Sequence, residues 1–258
     1  MAPEISTTSM LFLLVFILIP ISLSYFYSLQ LGGSITWSSI RGVAQLFLIG
    51  YLLTFLFELP PNQGIPIMLA VMMTVASFHA AKKGNGIPNV LALIFVIFVA
   101  VEVLVLSMWI GFGMIDFTAE QVIPMSGMVI GNSMVAIGLA LERLKNEFKE
   151  NHDRILAALS LGANPQEATQ PIIRKIVRAA MIPNVDGLKT IGLVQLPGMM
   201  TGLILAGVSP IVAIRYQIVI SISIFVAVSL SAMLITLLVY RFFFNDKMQV
   251  KRISEIDT

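Results

Sequence analysis

VDGLKTIGLVQLPGMMTGLILAG, residues 185–207, reads as a membrane-spanning stretch with faults in it. Asp186 and Lys189 stand at one end, Gln195 and Pro197 in the middle, and five glycines are spread along it. The run is long and apolar enough for lipid, yet glycine and proline weaken a helix interior. Whether it crosses the bilayer sets the parity of every other span, so the fold turns on it.

The rest of the chain agrees with a membrane reading. Of 258 residues, 57% are hydrophobic and 12% are charged, against about 25% charged in soluble domains. Seven apolar runs have spanning length: 8–30, 42–59, 64–81, 88–113, 121–141, 187–207 and 210–241. The sequence predicts an all-α polytopic membrane protein of about seven transmembrane helices, a single domain over 1–258. A polar loop fills about 142–183 and a C-terminal tail about 242–258. The segment before the first run carries Glu4 and no Lys or Arg. That is the wrong charge for a signal peptide, so the run is read as a retained helix.

Basic residues set the orientation. The polar loop and its flank, Arg143 to Lys189, hold eight of the 16 Lys and Arg, and the tail holds Arg241, Lys247, Lys251 and Arg252. Placing both inside, two spans apart, puts Lys82 and Lys83 and Arg41 inside and the N-terminus outside. Only Arg215 then faces out. The net charge of +2 argues against a nucleic-acid partner. With no cysteine, and only His79 and His152, thiolate sites and multi-histidine cages within one chain are excluded.

The loop, ERLKNEFKENHDRILAALSLGANPQEATQPIIRKIVRAAMIP (142–183), carries helix punctuation. Leu144, Phe148, Ile155 and Leu159 give one apolar stripe on a helix to about Leu161. Gly162 fits a stop. Asn164 caps a second helix, Pro165 takes its first position, and Glu167 stands where a capping-box acid reaches back. Pro171 is expected to limit this helix to a turn or two. The segment is read either as a hairpin linking two spans or as a stiff knob that passes motion from a cytoplasmic motor.

Leu161-Gly162-Ala163, the polar turn after it and Glu167-Ala168 resemble the EAA loop of ABC-transporter permeases. With VIPMSGMVIGNSMVAIGLALERL (122–144) and MIPNVDGLKTIGLVQLPGMMTGLILAG (181–207), the chain resembles the FetB-type permease family of bacteria, related to plant ABC proteins affecting aluminium sensitivity. The likeness is dense over roughly 122–217 and rests on span pattern before that. It implies a membrane permease subunit paired with a separate ABC ATPase, and a link to iron export. The chain has no G-x-x-x-x-G-K-[ST] loop. It is therefore expected to bind no cofactor itself and to leave ATP and Mg²⁺ to the partner. With half the usual spans per chain, a homodimer is expected.

Pathway candidates lie in the spans. Gly127 and Gly131 in span five, and Gly198 and Gly202 in span six, allow close helix approach, either within the chain or across a dimer. Pro197 is expected to bend span six by freeing the Leu193 carbonyl. Gln195, Asn132, Ser133 and Thr201 either bond other helices or offer oxygen to a cation. Asp186 and Lys189, three apart, are either a solvated pair or an alignment device for the coupling segment. Glu102, in the middle of span four, is the candidate metal-compensating carboxylate, or else a neutral, hydrogen-bonded acid. Methionines such as Met72, Met125 and Met200 are read as packing. The competing reading is a gradient-driven transporter or channel using Glu102. A membrane enzyme is disfavoured: the spans hold no paired carboxylates and no His–Ser–Asp pattern.

Overall fold

A computed structural model describes residues 7–194, 196–245 and 247–251. The leading segment with Glu4, Gln195, and the tail from 252 onward with Arg252 lie outside the described residues. The chain divides into two units, residues 1–60 and 61–258.

The first unit is a helical hairpin, α1 (Thr7–Phe26) and α2 (Gly32–Glu58). Ser28 and Gln30 take left-handed backbone between them, and the buried Ser24 hydroxyl accepts the Leu31 amide at 2.9 Å. Ile17, Leu18 and Ile21 face Ile40 and Val43. α2 starts ten residues before the expected span at 42. Ser38, Ser39 and Arg41 lower hydropathy there but do not stop a helix, so Arg41 lies within α2 and not in a loop.

The second unit is built around α5 (Ala119–Glu150), which packs against α3 (Pro61–Ala81), α4 (Val90–Gly111), α7 (Pro165–Thr190) and α9 (Pro210–Val239). The reason is visible in its sequence. Val122, Met125, Val129, Ser133, Ala136, Ile137, Ala140, Leu144 and Phe148 are all buried, a helical stripe that winds around most of the rod. Gly127 allows α3 to come close: a Cβ there would stand 2.7 Å from Met72 Cε. The Trp109 indole N–H donates to Ser223 Oγ at 2.8 Å, tying α4 to α9. α6 (His152–Ser160) and α8 (Gly198–Leu205) complete the described helices.

Among the described residues, five helical segments are long and apolar enough to cross a membrane: Gly32–Glu58, Pro61–Gly84, Val90–Gly111, Ala119–Glu150 and Pro210–Phe243. Val15–Phe26 is a shorter apolar helix. The protein is thus an all-α, multi-pass membrane protein. The count of seven continuous spans is corrected at span six, which is not one helix. α7 ends at Thr190 and α8 has eight residues. Glycine costs about 1 kcal/mol and proline about 3 kcal/mol in a helix interior. Gly192, Pro197 and Gly198 fall within seven residues of each other, and local apolar packing does not offset that sum.

A second correction concerns Pro171. It does not end the helix after a turn or two; α7 runs through Pro171 and Pro183 for 26 residues. Ile172, Ile173, Ile176 and Ala180 are buried along it. Each buried isoleucine is worth about 1.5–3 kcal/mol, which together outweighs a proline penalty of about 3 kcal/mol.

Candidate translocation cavity and coupling turn

At Ile191–Val194, and again at Leu196 and Pro197, the backbone is not helical. Gly192 is left-handed (φ +80°), and Leu193 and Val194 are exposed. Pro197 does not bend a continuous helix, as expected, but caps α8 with extended backbone, its carbonyl accepting the Thr201 amide at 3.1 Å. Two adjoining cavities of about 380 and 270 Å³ open at this break. They share Leu188, Ile191, Pro197, Gln217 and Ser221. The larger is mostly apolar, with Met200 and Ile214 on its wall. The smaller adds Asn132 of α5 and Asn184 and Gly187 of α7.

Of the candidate residues, Asn132 and Pro197 meet at this cavity. Ser133 is buried and points elsewhere, its hydroxyl unpartnered. Thr201 back-bonds to the Pro197 carbonyl at 3.1 Å. Gly131, Gly198 and Gly202 have open space where a Cβ would stand, so they make no close helix approach within one chain. Gly127 does, but against α3 and not span six. Gln217 was missed by the sequence reading. It follows Arg215 and Tyr216 near the start of α9 and lines both cavities; a glutamine inside a span was the available signal.

Glu102 is 2% exposed on α4 and is absent from the lining of both cavities. The Ser126 hydroxyl of α5 lies beside it, but neither carboxylate oxygen makes a hydrogen bond of good geometry. Among the described residues, no group of three or more His, Cys, Asp or Glu stands together as a metal cage.

The α6–α7 turn follows its predicted local chemistry. α6 ends with the Gly162 amide on the Leu159 carbonyl at 3.0 Å and the Ala163 amide on Ala158 at 3.1 Å. This wrap needs the left-handed φ of +92° at Gly162, and it throws Leu161 out to 90% exposure. The capping box is complete: the Asn164 amide donates to Glu167 Oε2 and the Glu167 amide to Asn164 Oδ1, both at 2.9 Å. Pro165 takes the first helical position and Ala168 closes the first turn on the Asn164 carbonyl. Asn164→Ala should cost about 1 kcal/mol of stability, read as a lowered thermal midpoint. Asp186 and Lys189 pair at 2.8 Å, both largely exposed, the geometry of a solvated pair worth little.

The sequence reading missed how firmly this turn is anchored. Glu147, nearly buried on α5, takes Lys175 of α7 at 2.6 Å. After α9, a 3-10 turn (Tyr240–Phe243) places Phe243 and Phe244 on Phe148, at ring-centroid distances of 4.4 and 6.1 Å. Phe244 pairs with Val250, and Asn245 closes the loop between them through Lys247 and Gln249. This clasp stands beside Asn164 and Pro165 across cavities of about 470 and 410 Å³. The signal was the Phe242-Phe243-Phe244 run, too apolar for a free tail.

Residues 7–244 match the family described as Uncharacterised protein family (UPF0014). The chain is similar to "Probable iron export permease protein FetB" of Escherichia coli (strain K12), 36% identical over 247 residues, covering 96% of this chain and 95% of that protein. It is 31% identical to "Protein ALUMINUM SENSITIVE 3" of Arabidopsis thaliana over 238 residues, 92% and 87% of the two chains. It is 32% identical to "UPF0014 membrane protein STAR2" of Oryza sativa subsp. japonica over 230 residues, 89% and 81%. No solved structure matches it significantly.

Proposed function

This chain belongs to the UPF0014 family, and we propose that it is the membrane permease subunit of an ABC transporter that exports metal cations, iron foremost, on ATP hydrolysed by a separate subunit. The relative named as a probable iron export permease supports the cargo and the direction. The observation that carries the motor partnership is the α6–α7 turn. Its bare Leu161 sits on a doubly capped, glycine-wrapped corner, and the helix that leaves this corner, α7, is tied to α5 by Glu147–Lys175. Such a part transmits force because it does not flex. ATP and Mg²⁺ belong to the partner; this chain contributes the surface that follows its stroke.

Two copies would complete the pathway. Gly198, Thr201 and Gly202 occupy an exposed face of α8 at a spacing that lets helix backbones touch in lipid. The open space beside the two glycines suits a second copy. Gly202→Leu should then shift the purified protein from dimer toward monomer, read by chemical crosslinking in membranes.

The deciding experiment is reconstitution with the cognate ATPase and transport of iron or manganese with ATP on one defined side. Normal transport after replacing 160–170 with a flexible linker would sink the coupling role. The buried, unpartnered Glu102 favours a second reading, a gradient-driven carrier. Glu102→Gln separates the two. An ATP-driven permease keeps its flux, since glutamine has the same shape and needs no charge, whereas a carrier working through that carboxylate loses it.

A further inference from the structure

We propose that the C-terminal clasp, through Met248, is the second wall of the surface on which the ATPase subunit docks, and that the ATPase segment seated between the clasp and the α6–α7 turn presents an apolar side chain beside a carboxylate. This rests on the coupling reading of that turn. The clasp holds its outermost residue in a costly way. Met248 takes left-handed backbone (φ +58°), a region that glycine enters freely and a long side chain rarely does. The turn is nonetheless well fixed. Asn245 Oδ1 accepts the Lys247 and Gln249 amides at 3.0 and 2.9 Å, and the Met248 amide donates to the Asn245 carbonyl at 2.9 Å. The Lys251 amide closes the clasp on the Phe243 carbonyl at 2.9 Å. Phe243, Phe244 and Val250 are buried by this arrangement, whereas Met248 is left 65% exposed. Glycine would suit the same backbone with less strain and put no apolar surface in water. A methionine there does nothing for the fold, but its adaptable thioether chain suits a partner's surface.

What stands opposite Met248 identifies the partner. Met248 lines both grooves, of about 470 and 410 Å³, that separate the clasp from the α6–α7 turn. Asn164 and Pro165 line both from the other side, and the smaller is also lined by Ser160 and Ala163, which flank the bare Leu161 in the chain. The surface is therefore continuous from the coupling corner to the clasp. Arg241 lies on one groove and Lys247 on the other, with no Asp or Glu among the described residues of either lining. An apolar segment bearing a carboxylate complements both features. Lipid tails do not fit the position. The clasp rests on Phe148, about 9 Å along α5 beyond Glu142, which pairs with Lys83 just after α3 ends. Met248 thus stands past the end of the α3 span.

The purified ABC ATPase of the same transporter is labelled and titrated onto the full chain in lipid nanodiscs, with Leu161→Ser as a parallel arm. The expected result is saturable binding that Leu161→Ser and Met248→Gly each weaken about tenfold or more, the loss of one large apolar anchor. The thermal midpoint of Met248→Gly should stay level or rise, because glycine suits the backbone. Lys247→Glu should weaken binding about tenfold, and added salt should weaken the wild type. If Leu161→Ser weakens binding and Met248→Gly does not, the clasp faces lipid or a second copy; the inference fails and the coupling reading stands. If Met248→Gly weakens it and Leu161→Ser does not, turn and clasp are not one surface, and the inference fails again. A lowered midpoint in Met248→Gly would assign the methionine to the fold and overturn the proposal. Unchanged binding in Lys247→Glu would overturn the acidic partner segment. If the wild type binds no ATPase, the inference and the coupling reading fall together.

Discussion

Gly162→Pro should lower permease-coupled ATP turnover and transport by more than about tenfold while leaving membrane insertion intact. Proline fixes φ near −65°, and the backbone here stands at +92°. The substituted corner has to rebuild, and with it the amide contacts from Gly162 to Leu159 and from Ala163 to Ala158. The presentation of Leu161 and the start of α7 at Asn164 then change together. The cost of forcing an unsuitable residue into such backbone is about 1–3 kcal/mol, with more for proline. Gly162→Ala grades the effect: an added Cβ meets no neighbour, so only the conformational strain remains and the turn persists at lower stability. Transport driven by the cognate ATPase in proteoliposomes is the measurement. A Gly162→Pro permease with unimpaired coupling would show that the corner's shape does not matter.

Phe148→Ala should destabilise the protein by about 3–5 kcal/mol and release the C-terminal clasp. Phe148 is completely buried and is the surface on which Phe243 and Phe244 rest. Removing the ring leaves a void that α5, held by α7 and α9, is poorly placed to close. The expected readouts are a large drop in thermal midpoint and protease cleavage near Asn245, where the wild-type loop is closed by its own hydrogen bonds. Phe148→Leu retains much of the apolar volume and should fall between. Cleavage unchanged in Phe148→Ala would mean that the clasp is held by something other than this stack.

Most of the helical plan was legible because spanning length and hydropathy are local properties of sequence. The capping box was legible for the same reason: Asn164, Pro165 and Glu167 need only one another. The failures lie where distant packing outvotes local preference. Pro171 looks like a terminator until Ile172, Ile173 and Ile176 are seen buried. The stretch around Pro197 looks like a bent span, because hydropathy records apolarity and not hydrogen-bond continuity. Arg41 looks like a loop residue, because a basic side chain lowers a window average without stopping a helix. The cavity was half legible. Asn132 and Pro197 stand out in the sequence, but the other side chain, Gln217, comes from a helix beginning 91 residues after α5 does, at a register only packing fixes.

α5 is one uninterrupted rod of 32 residues, about 48 Å at 1.5 Å per residue. Suppose it swings about its Ala119 end by about 5°. The Glu150 tip then travels about 4 Å, while Asn132, about 20 Å from the pivot, travels under 2 Å. The helix would act as a reduction gear, turning a coarse displacement at its Glu150 end into a fine one at the cavity wall, with no break in the rod to absorb it.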